Sequence, residues 1–134
     1  MKQAKVLAKD EIRKVVKVCE LTKHADRNKF IVHLSFLSGM RAVEIASLRV
    51  KDVLSADNEV LDTIALNKTQ TKGNKGQTVY VGKSLGKEIS RYIAKFPNLT
   101  SNREGYLLRT QKGHFSSLTI QHLFKHLYTL ANIP

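Results

Sequence analysis

Along this 134-residue chain, apolar residues recur every three or four positions in several stretches and switch to alternation near the middle. From Ala8 to Leu21 they fall at Ile12, Val15, Val16 and Cys19, one face of an amphipathic helix, with Arg13, Lys14 and Lys17 on the solvent side. Its start, Ala8-Lys9-Asp10-Glu11, is a capping box with the Ser or Thr replaced by Ala, a change that costs the cap about 1 kcal/mol. A second helix is predicted from Asp26 to Leu37, with Phe30, Ile31, Leu34 and Leu37 inward and Ser38-Gly39 as its stop. A third runs from Arg41 to Leu48, with Ala42, Ile45 and Leu48 on one stripe. The period then drops to two. Val50 to Leu54, Val60 to Leu66 and Gln77 to Val81 read as strands, separated by turns at Ser55-Ala56-Asp57-Asn58 and Lys72-Gly73-Asn74-Lys75-Gly76. A fourth helix, Ser84 to Phe96, stops at Pro97, and Tyr106-Leu107-Leu108 is a short extended piece. The last helix begins near Ser116 and carries Ile120, Leu123, Phe124, Leu127 and Leu130 inward. The pattern predicts a single α+β domain, mainly helical with a small three-stranded antiparallel sheet.

Composition supports a folded core: 42% of residues are hydrophobic and 25% charged. Charge interrupts every apolar run, and the N-terminus lacks an apolar leader, so no membrane partner is expected. A lone cysteine, Cys19, makes no intramolecular disulfide and fits the apolar stripe of the first helix, so the expected location is cytoplasmic. The net charge of +12 changes the picture more. Residues 1–67 hold 12 basic and 9 acidic side chains, whereas residues 68–134 hold 11 basic ones and only Glu88 and Glu104. Such an excess favours a polyanionic partner, nucleic acid first; a solvated basic surface kept for solubility is the alternative.

Two segments carry candidate chemistry. In Ser38-Gly39-Met40-Arg41-Ala42-Val43-Glu44, an arginine enters the first turn of a helix through a glycine turn, beside unpaired backbone N–H groups at the positive end of the dipole. Glu44, one turn on, is placed to hold the guanidinium in one rotamer, and a fixed planar fork suits two oxygens of a phosphate. A simple intrahelical Arg–Glu pair is the competing reading. In Lys68-Thr69-Gln70-Thr71-Lys72-Gly73-Asn74-Lys75-Gly76-Gln77, glycines flank a lysine-bearing hairpin tip able to reach into a groove; a solvated basic turn is the alternative, and the spacing is not that of a P-loop.

These segments, in this order, resemble the catalytic domain of the tyrosine recombinases, the phage integrase family. The likeness starts at Val6-Leu7-Ala8-Lys9-Asp10-Glu11-Ile12 and continues through Leu37-Ser38-Gly39-Met40-Arg41-Ala42-Val43-Glu44-Ile45 and the Thr71-Lys72-Gly73-Asn74-Lys75 turn. It ends in Phe115-Ser116-Ser117-Leu118-Thr119, so that it covers nearly the whole chain. It implies that Arg41 is the first catalytic arginine, binding non-bridging oxygens of the scissile phosphate, and that Lys72 is the hairpin lysine that protonates the leaving 5′-oxygen, with Glu44 positioning Arg41. For further DNA contact it points to Asn74 and Lys75 at the hairpin tip, Arg109 and Lys112 in the later loop, and Ser116, Ser117 and Thr119 at the start of the last helix; Ser116 as a plain N-cap is the alternative there.

The family's His-x-x-Arg box, a later His or Trp and the tyrosine nucleophile all follow the helix with which these residues end, and none has a counterpart among them. Tyr80, Tyr92, Tyr106 and Tyr128 read as packing residues. The resemblance therefore implies residues 1–134 as the N-terminal part of a catalytic domain, truncated before the nucleophile and without the amino-terminal DNA-clamping domain. Such a chain is expected to bind double-stranded DNA without cleaving it. Exposure of Leu123, Leu127 and Leu130 would favour self-association. A non-catalytic regulator associating with a full-length recombinase and a basic RNA-binding protein are the other readings. No cofactor is expected, and no metal either, since His122 and His126 at i, i+4 lack a third ligand nearby in sequence.

Overall fold

The computed structural model describes residues 7–66, 77–110 and 113–134. Helix α1 (Lys9–Val18) runs into a 3₁₀ turn at Cys19–Leu21, followed by α2 (Ala25–Ser38), α3 (Ala42–Ser47) and the one-turn α4 (Val50–Val53). Strands β1 (Thr63–Leu66) and β2 (Gln77–Tyr80) precede α5 (Gly82–Lys95), a second 3₁₀ turn (Pro97–Ser101), strands β3 (Arg109–Thr110) and β4 (Gly113–His114), and α6 (Ser117–Leu130). The mainly helical α+β class is as the periodicity predicts. At the start of α1, the Glu11 carboxylate accepts the Ala8 N–H at 3.0 Å, so the acidic half of the capping box works without its hydroxyl.

The predicted strand at Val50 to Leu54 is instead α4. Its β-branched residues read locally as extended, but Asp52 sits at the third helical position and accepts the Arg49 N–H at 2.7 Å. The first-turn donors Val50 N–H and Lys51 N–H find the carbonyls of Gly105 and Arg103, both at 3.0 Å. With its open N–H groups satisfied, one turn of helix is favoured over a strand. What remains of the third strand is a single antiparallel bridge between Leu54 and Val60. The described sheets are therefore two-stranded, β1 with β2 (Ile64 opposite Val79) and β3 with β4 (Arg109 opposite His114).

Two apolar clusters hold the fold. The larger gathers Phe30, Ile31 and Leu34 of α2, Ile45 of α3, Val53 of α4, Ile64 of β1 and Leu85 and Ile89 of α5, closing over Phe115 and Ile120. Phe30 stacks on Tyr92 of α5 with ring centroids 4.0 Å apart and planes 8° from parallel. The smaller cluster joins Val15, Cys19, Val32, Leu127, Ala131 and Ile133. Helix α2 contributes to both clusters, so it is buried on two sides. Cys19 belongs to the core: its Sγ donates to the Val15 carbonyl at 3.3 Å, and burial pushes the thiol up to about 11.

Several inward assignments change. Leu37 is 45% exposed and Phe96 40%, because each lies at the last turn of its helix, beyond the edge of the core. Tyr80 is 76% exposed on the outer face of β2 and is not a packing residue. Of the stripe invoked for self-association, Leu127 is fully buried by the smaller cluster and Leu123 packs against it, whereas Leu130, also read as inward, is 39% exposed at the last turn of α6.

Truncating Leu127 to Ala is expected to lower the unfolding free energy by about 2–5 kcal/mol. Leu118→Ala, at the exposed side of the same helix, is expected to change it by about 0.5 kcal/mol or less; urea denaturation of both variants reads the difference. A second expectation concerns alkali. Burial pushes the Tyr92 phenol from its ordinary 10.0 up to about 12, against the lowering pull of Arg27 and Arg109. The folded state therefore keeps a proton that the unfolded chain has lost, and stability present below about pH 10 falls as pH rises toward about 12. In Tyr92→Phe the latest-titrating tyrosinate absorbance disappears, and the alkaline fall in stability becomes shallower.

Candidate functional site

Helix α2 ends in a left-handed C-cap at Gly39, φ +74°, whose N–H donates to the Ser35 carbonyl at 2.9 Å. No neighbour lies within 4 Å of where a Cβ would stand, so the glycine is required by backbone conformation and not by crowding. The Ser38 hydroxyl donates to the Leu34 carbonyl and accepts the Met40 N–H at 3.1 Å, while the Met40 side chain is buried. The turn is thus fixed at three successive residues before Arg41, the N-cap of α3, is reached.

The expected pairing of Glu44 with the Arg41 guanidinium is not formed; Glu44 meets the main chain of Arg41 instead. Its Oε1 accepts the Arg41 backbone N–H at 2.8 Å, and Glu44 is only 4% exposed. No hydrogen bond or ion pair to another described residue engages the half-buried Arg41 guanidinium. A buried carboxylate fixes the backbone of the residue, and the side-chain fork keeps its donors.

At its other end α3 is tied to the segment before α6. The His114 ring hydrogen-bonds through Nε2 to the Ala46 carbonyl at 2.9 Å. The same imidazole stacks on Tyr106, with centroids 4.0 Å apart, and the Arg49 guanidinium lies 4.3 Å from the Tyr106 ring centre. Arg49 Nη1 donates to the Glu104 carbonyl at 2.6 Å, and the Leu107 N–H donates to the Leu48 carbonyl at 2.8 Å. A helix of six residues, about 9 Å long, therefore separates the Arg41 turn from the β3–β4 hairpin that delivers α6.

Ser116 is the N-cap of α6: its Oγ accepts the Thr119 N–H at 3.2 Å and pairs with Thr119 Oγ1 at 2.9 Å. The capping reading of Ser116 is thus realised, with Ser117 half-exposed and Thr119 exposed beside it. Arg109 is exposed, its Nε donating to the Tyr106 carbonyl at 2.8 Å. Its guanidinium lies over Gly105, and as the far end of an exposed flexible side chain it could move aside for a Cβ there. Lys72, Asn74, Lys75 and Lys112 lie outside the described residues. Tyr106 packs, as the sequence reading has it, but its partners Arg49 and His114, and Gly105, escape that reading because they are brought together from segments distant in sequence.

The two carboxylates of the second half are both occupied away from these cations. Glu104 binds Lys51 Nζ at 2.6 Å, a hydrogen bond that holds its carboxyl below the usual range, and Glu88 binds Arg91 at 3.0 Å with His33 3.8 Å away. Burial lowers the His33 pKa despite the opposing pull of Glu88. Among the described residues no group of three or more His, Cys, Asp or Glu is placed to hold a metal ion, and no helix is long and apolar enough to cross a membrane.

The Phage integrase family pattern matches residues 5–134. Transposase A from transposon Tn554 of Staphylococcus aureus is 30% identical over 95 residues, which is 69% of this chain and 25% of the transposase; the same figures hold for the protein of strains Mu50 and N315. The chain thus spans about a quarter of the length of these curated relatives. Among solved structures, the XerA recombinase superposes with a TM-score of 0.71 over 98% of this chain and 45% of that one, at 19% sequence identity, a likeness of fold. With the family pattern running from residue 5 to the last residue and the fold reproduced over almost the same span, this chain belongs to the phage integrase family, the tyrosine recombinases.

Proposed function

We propose that this chain binds duplex DNA through its phosphates and that Arg41 supplies the fork for two oxygens of one phosphate. One observation carries the reading: Arg41 is held by its backbone on the buried Glu44, leaving the guanidinium without a described partner. A guanidinium with no carboxylate on it has no ion pair to give up when an anion arrives, and its charge is worth most where phosphoryl oxygens gain negative charge in strand breakage and rejoining. In that chemistry Lys72 is the acid for the leaving 5′-oxygen, since a lysine ammonium can surrender a proton as the alkoxide departs. Asn74, Lys75, Arg109, Lys112, Ser116, Ser117 and Thr119 are the proposed backbone contacts; Ser116 takes part through the helix start it caps. The charge excess after residue 67, with Glu88 and Glu104 engaged elsewhere, supports the same partner.

Binding of a labelled duplex, followed by anisotropy, is expected to weaken steeply between about 50 and about 200 mM salt. Arg41→Gln should weaken it further and reduce the log–log salt slope by about 1 at every sequence tested. A salt-independent affinity, or an Arg41→Gln variant identical to the parent, overturns the assignment; tighter binding of structured RNA at matched salt replaces DNA as the partner.

A further inference from the structure

A second feature opens at the N-terminal end of α2, the end opposite the Arg41 turn, and extends to His114 and Thr119 at the start of α6. There lies a groove of about 880 Å³. Tyr92, Phe96 and Phe115 back its apolar side, and Lys23, Arg27 and Arg109 bring positive charge against the carboxylate of Asp26; Arg109 and Thr119, proposed above as DNA contacts, border it on one edge, while Lys23, Arg27 and Phe96 lie outside that proposed DNA set.

Arg27 is the informative residue. Its guanidinium lies 4.6 Å from the centre of the Phe115 ring, and its Nε and Nη2 donate to Asn28 Oδ1 at 3.3 and 3.1 Å. That amide is neutral and is itself engaged, donating through Nδ2 to Thr22 Oγ1 at 2.9 Å. No carboxylate pairs with Arg27 among the described residues, and burial lowers its pKa. A half-buried cation without a counter-charge, lining a groove, favours an anionic occupant.

The floor selects what carries the anion. Nucleobases need open ring faces. One face of Tyr92 is covered by Phe30 and Phe115 carries Arg27, so apolar edges and the exposed rim of Phe96 are what the groove offers. Aliphatic side chains fit such a floor better than bases or hydrated phosphates. A second copy of this chain, with its net charge of +12, would bring like charge to a basic rim. We propose that this groove docks an acidic, leucine-bearing peptide segment of a partner protein, with leucine side chains on the Phe96 floor and a carboxylate on Arg27.

The test uses the whole chain and a fluorescein-labelled synthetic peptide, Asp-Glu-Leu-Leu-Asp-Glu-Leu-Leu, with a control in which every Leu is replaced by Ser. Saturable binding is expected, weakened roughly tenfold or more by the Ser peptide and by Arg27→Gln. The exposed-site variants Lys23→Gln and Phe96→Ser should weaken it as well, which guards against a folding defect in Arg27→Gln, itself checked by circular dichroism. The duplex salt slope of Arg27→Gln should match the parent's. The proposal is overturned by an absence of saturable binding, by equal binding of the Ser peptide, or by natively folded variants that bind the peptide as the parent does. It is also overturned if Arg27→Gln loses duplex or single-stranded DNA affinity to the same degree as peptide affinity, which makes the groove part of the nucleic-acid surface.

Discussion

Burial of α2 on two sides is the constraint from which the other placements follow. Phe30, Ile31 and Leu34 are committed to the cluster shared with α5, and Val32 and Phe36 to the one shared with α1 and the end of α6. A helix held on one face can roll or slide; one held on two cannot without opening a core. The direction in which α2 ends is therefore set by packing on both flanks. Gly39 then turns the chain, and Glu44 receives it. The position of Arg41 is in this sense an outcome of apolar packing one helix away.

The charged residues divide into those that staple the fold and those left facing outward. Arg103 spends its fork on the carbonyls of Leu54 and Ser55, Arg49 on Tyr106 and the Glu104 carbonyl, and Lys51 on the Glu104 carboxylate. Arg41 and Arg109 have most of their donors free among the described residues. The same residue types thus serve two purposes, and the carbonyls and rings around each one decide which. Counting basic residues along the chain finds the excess without finding that division.

Much of the helical framework was legible because amphipathic periodicity reports burial directly: α1, α5 and α6 each show one apolar face and bury most of it, with Leu130 left exposed at the end of α6. The Arg41 turn was legible for a local reason, since a glycine stop, an arginine and a glutamate three positions on are all needed within one turn and all lie together in sequence. Val50 to Val53 misled because β-branched residues argue for a strand, whereas the donors' partners on Gly105 and Arg103 are more than fifty residues away and invisible to local pattern. Leu37 and Phe96 misled for a related reason: a helical stripe continues past the point where the core behind it ends. Tyr106 was read as a packing residue, but its partners Arg49 and His114, like the surroundings of Arg27, were not legible, being contacts between separate elements with no shared spacing.

The hydrogen bond from the Arg41 backbone to Glu44 separates two jobs that a side-chain ion pair would merge. An arginine steadied through its guanidinium meets an incoming anion with part of its fork taken and its charge partly answered, and binding becomes an exchange of one carboxylate for another anion. An arginine steadied through its amide meets the anion with all five side-chain donors available. The main chain fixes the point from which the side chain departs, and affinity is left to the side chain. Replacing Glu44 would accordingly loosen the turn from which the arginine departs while leaving its five donors as they are.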